Sequence, residues 1–237
     1  MSEENEISKM DRSVPELNAW LVGLLAGAIG MVGIVMEECC HVAGAEDIVF
    51  GILLIALGYY WAAIVRELTR DRAVSPFFFA VFFAVLTVLD VTAAVCRSSL
   101  DRGMFVVLQW VSSLGWFAGL GYLLVRSWKA AAGMNAPFIA RLSVSLILLI
   151  PIATFIETVD PSPNEPIEWF ELIPMFILWV LLFAGLQYPF NRGLRNHRNP
   201  PEQPQYCPLW KALLPGGLCV LLVVVVLVVL GHSGEPV

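Results

Sequence analysis

The stretch Pro76–Val95, PFFFAVFFAVLTVLDVTAAV, carries a single charged residue, Asp90. As an α-helix rising about 1.5 Å per residue, it reaches across a hydrocarbon core of about 30 Å. Lipid offers no water to backbone N–H and C=O groups, so an apolar segment of this length crosses as a helix that satisfies them internally. A carboxylate within such a helix costs roughly 2.5–3.5 kcal/mol on insertion scales, and it therefore faces protein or a wet cavity. Asp90 is accordingly the main functional lead in the chain.

Six further stretches share the apolar pattern: Leu17–Met36, Ile48–Val65, Met104–Val125, Pro137–Phe155, Trp169–Tyr188 and Leu209–Leu230. Composition agrees, with 58% hydrophobic and 14% charged residues, where a soluble domain carries about 25% charge. The predicted fold class is all-α: a polytopic membrane protein forming a single bundle of seven transmembrane helices. A polar tail (1–16) precedes the transmembrane domain (17–230), and a short tail (231–237) follows it. Residues 1–13 lack the basic start and small-residue cleavage site of a signal peptide, so the first apolar stretch is expected to remain as an anchor.

Charge sets the orientation. With the N-terminus cytoplasmic, the inner side holds every one of the 14 Lys and Arg residues except Arg97 and Arg102. The positive-inside rule therefore predicts a cytoplasmic N-terminus and an external C-terminus. The outer loops, Glu37–Asp47 and 156–168, are acidic by contrast. A net charge of −6 argues against nucleic-acid binding. The chain has no Asn-x-Ser/Thr sequon, which fits a bacterial-type cell membrane.

On this topology Asp90 lies one to two turns below the outer surface. Glu37 and Glu38 end the first span, Glu157 ends the fifth, and Glu171 opens the sixth. Converging carboxylates coordinate hard cations or relay protons, so Asp90 with Glu37, Glu38, Glu157 and Glu171 forms a candidate ion or proton site. The plain alternative is a salt bridge. Arg97 follows Asp90 by two helical turns on the same face and would make the carboxylate structural.

The run Glu37-Glu38-Cys39-Cys40-His41 holds metal-ligand types, and His232 at the outer end of the last span adds another. Adjacent helical residues diverge by about 100°, so Glu37, Cys39, Cys40 and His41 cannot all face one ion. Glu37 and His41 share a face only if the helix runs that far. A disulfide from Cys39 or Cys40 to Cys96 competes for the same thiols. No CxxC pair, glycine-rich phosphate loop, HExxH or GxSxG is present, and no cofactor is predicted.

Small residues at Gly23, Gly27 and Gly30, and at Gly115 and Gly119, have spacings that let helices approach closely. Packing within the chain is the first reading; docking of a second copy or another membrane protein is the other. Trp110, Trp116 and Trp179 lie within spans and read as packing. The functional expectation is a multi-pass, non-enzymatic accessory, sensor or interaction protein with the lipid bilayer as its partner. The alternative is a cation or proton transporter or channel built on the acidic cluster around Asp90. The neighbours of Asp90 separate the two.

Overall fold

The computed structural model describes residues 14–96, 99–130, 141, 172–200, 202, 207–211 and 213–214, with 38 and 39 described by backbone alone. These residues form helices and no strand: α1 (Ala19–Cys40), α2 (Ala45–Thr69), α3 (Pro76–Val95), α4 (Arg102–Ala130) and α5 (Leu172–Arg198). All five are long and apolar enough to cross a membrane. The stretch 137–155 and most of 209–230, read above as two further spans, lie outside the described residues.

Local chemistry explains where these helices start and stop. Asn18 Oδ1 accepts the N–H groups of Trp20 and Leu21 at 2.9 and 3.3 Å, capping α1. His41, at φ 54°, turns the chain left-handed just past Cys40. The Val42 N–H then returns to Met36 O at 3.3 Å, which closes the helix. Ser75 caps α3, and Pro76 stands in its first turn, where a missing N–H costs nothing. Glu46 and Asp47 occupy the first turn of α2, where negative charge complements the helix dipole. Pro189 cannot donate to the Gly185 carbonyl, yet α5 continues through it to Arg198.

Helices α1 to α4 alternate in direction and α5 runs the same way as α4, so the bundle has two unlike ends. One gathers Arg66, Arg70, Arg72, Arg126, Arg192, Arg195 and Arg198; the other carries Glu37, Glu46, Asp47 and Asp101, with Arg102. The basic end is tied together by polar contacts. The Tyr60 hydroxyl donates to Pro15 O at 2.7 Å and accepts from Leu17 N at 3.0 Å. Val14 N donates to Glu67 Oε2 at 2.8 Å, and Arg198 bridges Val14 O at 2.6 Å and Glu67 at 3.0 Å. Arg126 pairs with Asp71, linking α4 to the α2–α3 turn.

The seam glycines are filled within the chain. Gly23 and Gly27 of α1 meet Val180 of α5, and Gly30 meets Phe50 of α2. Gly115 and Gly119 of α4 meet Leu86 and Phe83 of α3. Gly58 of α2 lies directly against the Phe83 ring, which is fully buried. By contrast, the position of a Cβ at Gly121 meets nothing within 4 Å. Gly58→Ala should therefore destabilise the solubilised protein by about 1–3 kcal/mol through overpacking. Gly121→Ala should be neutral or stabilising by up to about 1 kcal/mol. Thermal unfolding of the two variants in one detergent checks the contrast, and equal melting shifts would contradict this packing.

Candidate functional site

Asp90 sits near the end of α3, at the acidic side of the bundle, and α4 crosses it there. The Trp116 indole donates from Nε1 to Asp90 Oδ2 at 2.8 Å. The same ring stacks on Phe83, with centroids 4.9 Å apart and planes 18° off parallel. One face of the indole is thus fixed by an aromatic neighbour and its edge by the carboxylate. Ser112, one turn earlier on α4, is 1% exposed. Its hydroxyl lies near the same carboxylate, short of a well-formed hydrogen bond. Among the described residues no Lys, Arg or His pairs with Asp90. The described groups that serve this carboxylate are neutral.

Beside the Asp90–Trp116 pair lies a cavity of about 340 Å³ between α2, α3, α4 and α5. Asp90, Glu46 and Asp47 supply its carboxylates, and Phe50, Trp116, Trp179 and Phe183 its aromatic wall. Leucines and Gly51 make up the rest. Phe50 and Trp179 close on each other, with centroids 4.2 Å apart, and Trp179 leans on Phe183 at 5.9 Å. The cavity is therefore mostly carbon, with its charge concentrated on three acids.

The expected acidic cluster is only partly described. Asp90 lines the cavity. Glu37 does not; its carboxylate accepts the N–H of Glu46 at 3.2 Å and so caps the first turn of α2. The Glu38 side chain, Glu157, Glu171 and the candidate partner Arg97 lie outside the described residues. For the metal reading, α1 ends before His41, which is exposed and does not continue the face of Glu37. No group of three or more His, Cys, Asp or Glu among the described residues is placed to hold a metal ion. The Cys39 side chain and His232 lie outside them. Cys40 and Cys96 are free thiols, so no disulfide joins them here.

Glu46, Asp47, Trp116 and Trp179 reach the cavity although sequence reasoning gave them other roles. The acid pair was legible as a helix start: two carboxylates ahead of an apolar run complement a helix N-terminus. The Trp116–Asp90 contact joins two helices and leaves no local signal. No protein-family model, curated protein or solved structure matches this chain.

The indole–carboxylate bond makes a direct prediction. Trp116→Phe keeps the stack on Phe83 but removes the donor, and should cost about 1–3 kcal/mol by leaving a charge unsatisfied. Adding Asp90→Leu should recover most of that loss, because both polar partners are then gone. Melting temperatures of the wild type, the two single variants and the double variant give the coupling. Additive effects would mean that the two residues do not act together.

Proposed function

We propose that this chain is a multi-pass membrane protein that binds a small organic cation in the Asp90 cavity and acts as a sensor or accessory protein, not as an enzyme. The observation that carries this reading is a carboxylate at membrane depth that lines a cavity and is held by the neutral Trp116 indole. A cation arriving from outside would supply a counter-charge that no described Lys, Arg or His provides. Aromatic faces attract such a cation within about 6 Å, by roughly 0.5–2 kcal/mol each, and four aromatic residues line this cavity. The volume of about 340 Å³ lies at the lower end of small-molecule sites, about 300–1,000 Å³. A hard metal ion is poorly served, since calcium takes roughly six to eight oxygens and most of this wall is carbon. The lining pairs no nucleophile with a base, which favours binding over catalysis.

A transport reading draws on the same acids. Glu46 and Asp47 share the cavity with Asp90, and carboxylates in series relay protons or small cations. Flux through proteoliposomes separates transport from binding alone. Seven spans, a cytoplasmic N-terminus, an external C-terminus and a bacterial-type cell membrane complete the proposal. The gathering of arginines at one end of the bundle supports this orientation through the positive-inside rule. A second copy or another membrane partner would dock away from the glycine seams, which are already filled within the chain.

Two measurements test these points. Tryptophan fluorescence of the purified protein should respond to benzyltrimethylammonium at concentrations at least about tenfold lower than to its neutral carbon isostere. Asp90→Asn should abolish that preference, and equal affinities in the wild type would exclude the cation reading. For orientation, single-cysteine variants retaining Cys40 or Cys207 should differ in intact cells. A membrane-impermeant maleimide should label Cys40, which is exposed at the acidic end, and leave Cys207 unlabelled until the cells are opened. The reverse pattern would invert the topology.

A further inference from the structure

Beyond Pro189, α5 carries Asn191, Arg192, Arg195 and Arg198 in its last turns. Asn191 points inward and donates from Nδ2 to Leu17 O at 2.7 Å, which draws the segment before α1 alongside α5. Between them lies a second cavity, of about 380 Å³, whose walls include Glu16, Asn18, Trp20, Tyr188, Arg192 and Arg195. Charge within it is unbalanced. Glu16 is paired with Arg195, while Arg192 has no acidic partner among the described residues. The Arg192 Nε is buried and lacks a hydrogen-bond partner. A buried donor on a charged group is costly when unpaired, so an acceptor entering this cavity would complement Arg192.

We propose that this cavity binds the phosphate-bearing headgroup of an anionic membrane lipid, with Arg192 as its principal contact. The guanidinium fork matches two phosphate oxygens at once, which an ammonium cannot do. The surroundings favour a lipid over free phosphate. Trp20 is 56% exposed, and Tyr188 stands across the cavity from the α1 side, so both rings sit where amphipathic aromatics mark a membrane boundary. One turn along α1 from Trp20 is Leu24, 50% exposed, with Leu21 and Leu25 exposed beside it. A headgroup held on Arg192 would lay an acyl chain along that strip. The helix N-terminus is not itself the anion site, because Asn18 already accepts the N–H groups of Trp20 and Leu21. Basic pockets between helices at the cytoplasmic boundary are suited to acidic headgroups. The inference stands independently of whether the Asp90 cavity takes a cation.

Native mass spectrometry of the purified full chain tests it, with phosphatidylglycerol and phosphatidylcholine supplied in equal amounts. Wild-type protein should retain phosphatidylglycerol preferentially. Arg192→Gln should weaken that preference by about fivefold, and Arg66→Gln, at an exposed position of the same end, should leave it unchanged. Equal loss in both variants would reduce the effect to diffuse attraction and overturn the site. Displacement of the lipid by millimolar inorganic phosphate would identify free phosphate as the ligand and overturn the lipid assignment. If Arg192→Gln fails to fold, the comparison moves to fluorescence quenching by brominated acyl chains in wild type and Trp20→Phe. The Trp20 share of quenching should be larger with phosphatidylglycerol than with phosphatidylcholine, and equal shares would refute the proposal.

Discussion

Helices already in lipid gain little by exchanging lipid tails for leucines, so fit must hold this bundle together. The glycines make that fit. Gly23 brings α1 against the Val180 carbonyl of α5, Gly51 admits Thr87, and Gly58 admits the Phe83 ring. Phe83 is consequently fully buried where α2, α3 and α4 meet. It is also the ring on which Trp116 stacks, so the packing that joins these helices also sets the orientation of the indole facing Asp90. The candidate site inherits its geometry from a glycine-permitted approach elsewhere in the bundle.

Two polar groups at depth are handled in opposite ways. Gln187 is fully buried in α5 and engaged at both ends of its amide: it accepts from Trp61 Nε1 at 2.7 Å and donates to Asn191 Oδ1 at 2.7 Å. Trp61 is further fixed by a stack on Phe190 at 5.1 Å. Such a closed network rigidifies the helices that share it. Asp90 receives one well-formed hydrogen bond, from the neutral Trp116 indole, among the described residues, and it lines the cavity. A structural carboxylate would be expected to resemble Gln187. Among the described residues, Asp90 is thus less completely engaged than Gln187, which is the contrast on which the proposed binding reading rests.

The sequence revealed the helices through hydropathy and the two unlike ends through charge, because lipid imposes both signals strongly on a single residue run. Pro76–Val95 matches α3 end to end, since Ser75 and Pro76 announce its start. Trp169–Tyr188 was read too short at its basic end. There α5 runs on past Pro189 to Arg198, where Asn191, Arg195 and Arg198 are held by the segment before α1. That continuation depends on contacts between residues far apart in the chain. The same limit applies to the site. Asp90 stood out because a charge in an apolar run is visible locally. Trp116, Trp179 and Phe50 did not, because an aromatic residue in a span looks the same whether it faces a leucine or a cavity.

The two ends of the bundle also differ in what they would allow to move. At the basic end, Tyr60, Glu67 and Arg198 grip the segment before α1, Asp71 holds Arg126, and the Gln187 network lies just above. Exposed ion pairs contribute little singly, but here they act with buried hydrogen bonds on the same helices. At the acidic end, the described polar contacts include Glu37 on the Glu46 amide, joining α1 to α2, and Trp116 on Asp90, joining α4 to α3. On the reading proposed above, a ligand reaching Asp90 from the acidic side would leave these basic-end ties in place. Under the proposed binding reading, this arrangement suits a ligand that enters from the acidic side and is held there.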